Sequence, residues 1–200
     1  MIKIGLTGSI GMGKSTVLRM FAGLGAATWN ADDAVHRLYE KDGLAVKAIE
    51  KEFPETIVDG QVDRGRLAAE VLNNPAALQM LEDIVHPLVG EDRERFMTAA
   101  AHAGALVAVL DIPLLFENST DKFFDATVVV SAPEEVQRER VLARPGMTAE
   151  KLDAILKLQL PDSDKRQRAD YVINTGQSLE GTRAEVEAAY EDIVSRATAH

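Results

Sequence analysis

Two kinds of segment follow one another along the chain: short apolar runs, and longer stretches in which apolar residues recur at helical spacing. The run Ile2–Thr7 is rich in apolar residues and stops at Gly8, which is typical of a buried parallel strand. Between Lys14 and Leu24 the apolar side chains return every three or four positions. The chain is therefore predicted to begin with a strand, a glycine loop and a helix.

Later strands are predicted where short apolar or β-branched runs recur, at Ala27–Asn30, Leu106–Ile112, Ala126–Val130 and Tyr171–Asn174. Helical periodicity predicts further helices at Asp32–Lys41, Leu44–Phe53, Arg64–Asn73, Pro75–His86, Leu88–Ala103, Thr148–Leu160 and Leu179–Arg196. Another helix is predicted to end near Ala143, with Ser131 as its N-cap, because Ser131 and Glu134 have capping-box spacing. The dipeptide His86-Pro87 is expected to interrupt two helices.

Strands that alternate with helices imply parallel crossover connections, and so an α/β fold with three layers, α/β/α. The long helical stretch between the second and third strands is interpreted as an insertion. Ligands of such open sheets bind beyond the carboxyl ends of the strands. We therefore expect the chemistry near residues 8–15, 30–33, 111–117 and 131–140.

Composition and charge narrow the function. The chain has 200 residues, of which 46% are hydrophobic and 27% charged, as expected for one globular domain. It lacks cysteine, which excludes disulfides and thiolate sites. Its 32 acidic and 22 basic residues give a net charge of −10, which argues against a broad nucleic-acid-binding surface. No apolar run approaches the roughly 20 residues of a membrane helix, and no signal peptide is visible, so a cytoplasmic protein without a membrane partner is expected.

The segment Gly8–Ser15 fits the phosphate-loop pattern G-x-x-x-x-G-K-[ST]. Its glycines allow successive backbone N–H groups to point at phosphate oxygens. Lys14 is expected to reach the β- and γ-phosphates, and the Ser15 hydroxyl is placed to bind Mg²⁺. ATP is thus predicted as co-substrate and Mg²⁺ as cofactor, with ATP contacts from Gly11, Met12, Gly13, Lys14, Ser15 and Thr16.

Two acidic positions follow predicted strands. Asp32 could orient an acceptor hydroxyl and take its proton, but Asp32 or Asp33 could equally cap the next helix. Asp111 ends a strand at a position where phosphate-loop enzymes often keep a carboxylate near Mg²⁺, although a strand-terminal aspartate can also simply make a turn. The apolar residues 113–116 could line a pocket, with at least two of them expected in the core.

The basic residues Arg138, Arg140 and Arg144 could clamp transferring phosphates on a mobile flap or form a solvated helix face. Further basic residues that would add to this supply are Lys165, Arg166 and Arg168. The Asn-Lys-x-Asp motif of regulatory GTPases is absent. A small-molecule kinase is therefore favoured. The alternatives are a kinase of the same fold acting on a nucleoside or nucleotide, and a binding protein that uses ATP as a switch.

Taken together, these segments resemble the dephospho-CoA kinase family over nearly the whole chain. The matching pieces are Ile4–Ser15, Asn30-Ala-Asp32 with Arg37, His86-Pro87-Leu88, Asp111-Ile-Pro-Leu-Leu-Phe-Glu117, Arg138–Arg144, Gln159, Lys165-Arg166 and Ala169-Asp170. The phosphate loop is shared by many kinases, whereas the Asp111–Glu117 string and His86-Pro87-Leu88 are far more specific. Two positions depart from the family pattern: Asn30 stands where aspartate is common, and Ser9 where glycine is common.

The resemblance implies that ATP phosphorylates the ribose 3′-hydroxyl of dephospho-CoA, giving CoA and ADP. It also implies a phosphate-loop kinase fold with a five-stranded parallel sheet. A nucleotide-binding core would comprise residues 1–30, 106–137 and 168–200, a helical CoA-binding insertion residues 31–105, and a lid residues 138–167.

Site residues carry over from the family in the same way. Asp32 is expected to activate the 3′-hydroxyl, and Lys14 and Arg140 to stabilise the phosphates. Acceptor binding is expected from Asp32, Arg37, His86 and Leu114, and Asn174 is expected near the nucleotide base.

Overall fold

The computed structural model describes residues 1–72 and 74–198 and contains a five-stranded parallel sheet. The seven described strands are β1 (Ile2–Thr7), β2 (Ala27–Asn30), β3 (Ile57–Val58), β4 (Gln61–Val62), β5 (Val107–Asp111), β6 (Ala126–Ser131) and β7 (Tyr171–Asn174). The main sheet has the order β2-β5-β1-β6-β7, and β3 and β4 form a separate antiparallel pair. The predicted positions of β1, β2 and β7 are confirmed without change.

Helices cover both faces of the main sheet, which confirms the predicted three-layer α/β/α fold. The described helices are α1 (Lys14–Gly23), α2 (Ala31–Tyr39), α3 (Val46–Glu52), α4 (Arg64–Val71), α5 (Pro75–His102), α6 (Glu134–Leu142), α7 (Ala149–Lys157), α8 (Asp162–Arg168) and α9 (Leu179–Thr198). Short 3₁₀ turns lie at Pro54–Thr56 and Asp121–Phe123.

The chain divides into two compact units, of which the first comprises residues 1–28 and the described residues from Ala100 onward. Its central strands β5 and β6 are buried at every position, as expected for parallel strands covered on both faces. One apolar cluster joins β1, β5 and β6 to helices α1 and α9. A smaller cluster, built on Leu115, Phe116 and Val129, packs elsewhere in the same unit. This rigid sheet fixes the loops that follow its strands.

The second unit comprises Trp29–Ala99 and has its own apolar cluster. Leu38, Ile49 and Val85 contribute to it from α2, α3 and α5. The β3–β4 hairpin was not predicted, although its turn residues Asp59 and Gly60 are a typical hairpin signal. Both have positive φ, 52° and 79°, as a type I′ turn requires.

The prediction that His86-Pro87 interrupts two helices was wrong, because α5 is one helix with Pro87 inside it. Proline removes a single backbone hydrogen bond from the helix interior. Val85 is buried, and Leu88 and Val89 pack against the cluster of the second unit. Apolar packing on both sides of Pro87 therefore outweighs the lost hydrogen bond.

The predicted capping box at Ser131 was also wrong. Ser131 is the last residue of β6, and its hydroxyl donates to Asp162 Oδ2 at 2.6 Å. The N-cap of α6 is Pro133, which makes no side-chain capping bond. Helix α8 was not predicted. The helix predicted at Arg64–Asn73 ends at a position outside the described residues, and positions 199 and 200 of the predicted nucleotide-binding core also lie outside them. No described helix combines the length and the hydropathy that a membrane crossing requires.

Candidate active site

The loop Gly8–Ser15 joins the end of β1 to the start of α1 and is held in one close-packed conformation. Gly11 and Gly13 have φ of 79° and 91°, values that side-chain-bearing residues rarely adopt. A Cβ atom at Gly11 would lie 2.4 Å from Val141 Cγ2, so this position also has no room for a side chain. The strand–loop–helix context predicted for the phosphate loop is thus present.

Lys14 folds back over this loop. Its Nζ donates to the Gly8 carbonyl oxygen at 3.0 Å, which sets the ammonium group above the loop backbone. Ser15, at the second position of α1, is exposed, and Ser9 is buried with 2% of its surface accessible. A cation and a hydroxyl therefore flank a loop whose following helix directs its N-terminus towards this point, an arrangement suited to a polyphosphate.

Three side chains from distant parts of the first unit hold the loop backbone. Gln137 Nε2 donates to the Ile10 carbonyl oxygen at 2.7 Å, and Gln159 Oε1 accepts from the Ile10 N–H at 3.3 Å. Thr175 Oγ1 donates to the Met12 carbonyl oxygen at 2.6 Å. These contacts bring residues 8–15 together with the segment that follows β6, as the strand-end argument predicted.

Thr175 also holds Arg140, which is expected from the family resemblance to stabilise the phosphates. Arg140 Nη1 donates to Thr175 Oγ1 at 3.0 Å, and Nη2 donates to the Thr175 carbonyl oxygen at 2.7 Å. Because the same hydroxyl contacts Met12, one buried threonine links the guanidinium to the phosphate loop. Arg138, by contrast, pairs with Asp153 of α7 at 3.1 Å.

A cavity of about 340 Å³ opens beside this cluster. It is lined by Gly11, Gly13, Thr16, Arg140, Arg144, Thr175, Gln177, Leu179 and Thr182. Its volume lies within the range of small-ligand sites. Its polar groups adjoin the phosphate loop, so it suits the nucleoside part of a nucleotide whose phosphates lie on that loop.

Asn174, predicted near the base, ends β7 and is exposed. Its side-chain oxygen accepts from the Gly176 N–H at 2.8 Å, and its backbone N–H donates to Glu185 at 2.6 Å. These bonds shape the turn that carries Thr175 and Gln177 to the cavity. The observed contacts of Asn174 are therefore with this turn and with Glu185 of α9.

Asp111 lies at the end of β5, where its register partner is Leu6 of β1, and is 4% exposed. The following string splits as expected: Leu115 and Phe116 are core residues, whereas Leu114 is exposed. Thr7 Oγ1 donates to the Pro113 carbonyl oxygen at 3.3 Å, which ties the start of this string to β1. Residues 111–117 and the phosphate loop thus follow paired strands at one edge of the sheet.

Glu117 and Lys165 form a buried ion pair in the first unit. Lys165 Nζ lies 2.9 Å from Glu117 Oε1, and its side chain has no accessible surface. Burial would raise the pKa of Glu117, but hydrogen bonds from Lys165 and from the Leu160 N–H outweigh burial and hold it below its ordinary value. Lys165 is therefore a structural cation, which corrects its prediction as part of the basic supply for the phosphates and also excludes it from a solvated helix face.

In the second unit, Asn30 and not an aspartate caps α2. Its side-chain oxygen accepts from the N–H groups of Asp32 at 2.7 Å and Asp33 at 3.1 Å. Both aspartates lie in the first turn and are exposed. The alternative that Asp32 or Asp33 serves as the cap is thus wrong. Asn30 also fits its place, because an amide oxygen caps as well as a carboxylate does.

Arg37 extends from the last turn of α2 and contacts Asp92 of α5. Arg37 Nη2 donates to Asp92 Oδ1 at 2.6 Å, and the same oxygen accepts from Trp29 Nε1 at 2.8 Å. His86 lies on α5 and is exposed. The second unit therefore holds three of the predicted acceptor residues, Asp32, Arg37 and His86, and the first unit holds Leu114.

Sequence reasoning missed Gln137, Thr175 and Asp92. Gln137 is a polar residue at a buried position of α6, and Asp92 lies four residues after Leu88 on the apolar face of α5. A polar residue on the apolar face of a helix is a pattern that could have indicated both. Thr175 had no such signal, since a threonine after a strand is ordinary. Within the described chain no group of three acidic or histidine side chains could hold a metal by itself.

Comparison with known proteins extends over nearly the full length of the chain. The family model described as Dephospho-CoA kinase matches residues 2–180. A dephospho-CoA kinase of Mesorhizobium japonicum is 55% identical over 193 residues, 96% of this chain and 97% of that protein. The solved structure of dephospho-CoA kinase from Campylobacter jejuni is similar with a TM-score of 0.71 and 25% identity, over 96% and 97% of the two chains. A Thermus thermophilus protein of known structure reaches a TM-score of 0.79 at 35% identity, with the same coverage.

Proposed function

This chain belongs to the dephospho-CoA kinase family, and from that premise we propose how its own residues transfer the ATP γ-phosphate to the ribose 3′-hydroxyl of dephospho-CoA. The observation that carries the proposal is the phosphate loop, with Lys14 folded over Gly8 and Arg140 linked to the same loop through Thr175. Phosphoryl transfer depends mainly on positioning and on charge neutralisation, and these groups supply both.

On the nucleotide side, the phosphates of ATP would lie on the backbone of residues 11–16 and the nucleoside in the adjoining cavity. Gln177, Thr182 and Leu179 of that cavity would contact the nucleoside, and Asn174 would shape the turn beside it. Lys14 and Arg140 would balance the negative charge that develops on the transferring group, because both are cations held within reach of one loop.

We include Mg²⁺ as the cation that would neutralise negative charge on the phosphates of ATP, and Ser15 and Asp111 would hold it. The donors present fit it: the Ser15 hydroxyl is exposed at the start of α1, and Asp111 is a carboxylate at the same sheet edge. Mg²⁺ prefers oxygen ligands and commonly uses one or two protein oxygens together with substrate phosphates and water. A larger cluster of protein ligands is therefore unnecessary.

On the acceptor side, we propose that Asp32 orients the 3′-hydroxyl and accepts its proton. Its carboxylate is exposed, and the capping of α2 is already provided by Asn30, so Asp32 is available to a substrate. Arg37, His86 and Leu114 would contact the rest of dephospho-CoA. The exposed guanidinium and the exposed leucine suit the anionic and apolar parts of such a molecule.

The lid of the proposal is residues 138–167, a part of the first unit. Its far end is anchored, since Glu117 binds both the Leu160 N–H and Lys165. Gln159 is also tied to Ile10 and Arg140 to Thr175, so movement is expected in the stretch between Arg140 and Gln159. Closure there would exclude water, which otherwise competes as phosphate acceptor.

The test is ADP release by the purified protein with MgATP, with and without dephospho-CoA, using AMP and adenosine as control acceptors. We expect release that depends on dephospho-CoA, with CoA formed in equal amount. ADP release that occurs only with AMP or adenosine would contradict dephospho-CoA as the acceptor. ADP release at the same rate with and without any acceptor would contradict the proposed kinase activity. Cell fractionation would check the proposed cytoplasmic location, where ATP is supplied.

Replacing Thr175 by valine should raise the KM for ATP and lower kcat, so that kcat/KM for ATP falls by about 3- to 10-fold. The reason is that valine lacks the hydroxyl that forms hydrogen bonds with Arg140 and with the Met12 carbonyl oxygen. Steady-state kinetics at saturating dephospho-CoA would measure this change. Thr175→Ser keeps the hydroxyl and should restore most of the activity. Equal losses in both variants would mean that the hydroxyl is not what links Arg140 to the loop.

Removing Mg²⁺ with EDTA should reduce turnover to the background rate, and added Mg²⁺ should restore it, because Lys14 and Arg140 alone leave the phosphates undercompensated. Ser15→Ala should raise the Mg²⁺ concentration needed for half-maximal rate. The exposed Ser163, which lies on α8, provides the matched control as Ser163→Ala. An unchanged Mg²⁺ requirement in Ser15→Ala would remove Ser15 from the metal site.

A further inference from the structure

Asp92 is a carboxylate on the apolar face of a long helix, and the roles proposed above leave it unused. It lies seven residues after Val85 and four after Leu88, both members of the cluster in the second unit. Its side chain is only 16% exposed. A carboxylate in that position loses much of its hydration, and it needs strong partners to remain charged.

Its hydrogen-bond partners come from one short segment far away in sequence, and Arg95 on the same helix as Asp92 adds a nearby positive charge. Arg37 Nη2 donates to Asp92 Oδ1 at 2.6 Å, and Arg37 Nε lies 3.4 Å from Oδ2. The indole N–H of Trp29 donates to Oδ1 at 2.8 Å. Burial would raise the pKa of Asp92, but the hydrogen bonds from Arg37 and Trp29 outweigh it and hold the pKa below its ordinary value.

The segment held in this way carries the proposed acceptor residues. Trp29 is 5% exposed and immediately precedes Asn30, whose side chain caps α2 and binds the N–H of Asp32. Arg37 lies at the other end of α2. Asp92 therefore contacts the chain just before the Asn30 cap and again at Arg37.

The contact leaves part of the Arg37 guanidinium available. Nε and Nη2 face Asp92, while Nη1 has no hydrogen-bond partner among residues 1–72 and 74–198. The Arg37 side chain is 50% exposed. A guanidinium that is held on one edge by a carboxylate presents its other donors in a fixed direction, which favours binding of an anion such as a phosphate group.

We propose that Asp92 is a positioning residue of the acceptor site, which holds Arg37 in the orientation that binds an anionic phosphate group of dephospho-CoA. The inference rests on the proposed role of Arg37 in acceptor binding. Asp92 acts through Arg37 and does not itself touch the substrate. It sets affinity for the acceptor, while the nucleotide site in the first unit has no part in this contact.

The test is kinetics of Asp92→Asn, which keeps the size of the side chain and removes its charge. The KM for dephospho-CoA should rise about 10-fold or more, because a charge-assisted contact to Arg37 is weakened. The kcat and the KM for ATP should stay within about 2-fold. Glu91→Gln is the matched control, since it removes one charge from the adjacent, exposed position of α5 and should leave all three constants unchanged.

A double-mutant cycle with Arg37→Ala separates positioning from general stabilisation. In the Arg37→Ala background, Asp92→Asn should have almost no further effect on acceptor KM, because there is no guanidinium left to orient. Calorimetric binding of dephospho-CoA without ATP should show the same non-additivity. Asp92→Glu keeps the charge and should recover part of the affinity for dephospho-CoA. This variant provides the test if Asp92→Asn folds poorly.

Additive effects in the cycle, or a loss of kcat and melting temperature with unchanged acceptor KM, would overturn the inference and leave Asp92 as a structural residue. Failure of the proposed function looks different. In that case the wild-type protein itself would not turn over dephospho-CoA, whatever the behaviour of the variants.

Discussion

Replacing Asp32 by asparagine should lower kcat by about 10²–10⁴-fold, the range typical of general acid–base groups. The amide has the same shape but cannot accept the proton of the 3′-hydroxyl. Its backbone N–H would still donate to Asn30, so the start of α2 should be kept. The measurement is kcat under saturating MgATP and dephospho-CoA, together with ATP binding, which should be largely retained.

Asp33→Asn is a closely matched control for this variant. Asp33 is the next residue, lies in the same first turn of α2, is also exposed, and donates through its N–H to the same Asn30 oxygen. Both substitutions remove one negative charge from the N-terminus of α2, so both should reduce the stability of this helix by a similar amount. Near-normal turnover in Asp32→Asn, or equal losses in the two variants, would remove Asp32 from its proposed role as base.

Replacing Lys165 by methionine should lower the free energy of unfolding by about 3–5 kcal/mol, the usual cost of breaking a buried ion pair on one side. Lys165 Nζ contacts Glu117 at 2.9 Å, and the lysine side chain is fully buried. Without the cation, a largely buried carboxylate keeps only hydrogen bonds from backbone N–H groups, including that of Leu160, among the contacts described. Urea denaturation followed by circular dichroism would measure the loss.

The double variant Glu117→Gln with Lys165→Met should recover most of this loss, because no buried charge remains and the glutamine oxygen can still accept from Leu160. Arg138→Met provides the surface control. Its pair with Asp153 is exposed at both side chains, by 38% and 56%, so the change should stay below about 1 kcal/mol. Equal losses in Lys165→Met and Arg138→Met would show that burial does not determine the value of the pair.

The same pair predicts a pH dependence. The pKa of Glu117 is lower in the folded protein than its ordinary value, so the folded state favours the ionised form. Its contribution is therefore present above the unfolded-state pKa and is lost as pH falls through the folded-state pKa. As the pH falls, the free energy of unfolding of the wild type should decrease relative to that of the double variant, because the double variant lacks this carboxylate. A difference that does not change between neutral pH and about pH 3 would contradict this.

The phosphate loop could be predicted from the sequence because its function depends on which residue types stand at fixed spacing within eight consecutive positions. Gly11 and Gly13 supply backbone angles that other residues rarely adopt, and Lys14 and Ser15 follow at fixed spacing. The alternation of the main-sheet strands with helices followed from periodicity and β-branched content, which is why the three-layer fold was predicted correctly although α8 and the β3–β4 hairpin were missed. The errors at Pro87 and Ser131 came from local rules that packing overrode.

The family, the fold class and the nature of the phosphate site were therefore predictable from the sequence, since each rests on short-range pattern. Tertiary packing assigns the separate tasks of the similar polar residues. It made Asn30 the cap in place of Asp32, buried Lys165 against Glu117, and joined Arg140 to the phosphate loop through Thr175. It also brought Asp92 to Arg37, 55 positions earlier in the chain. Such pairings depend on distances between segments that are remote in sequence, and one-dimensional periodicity carries no information on them.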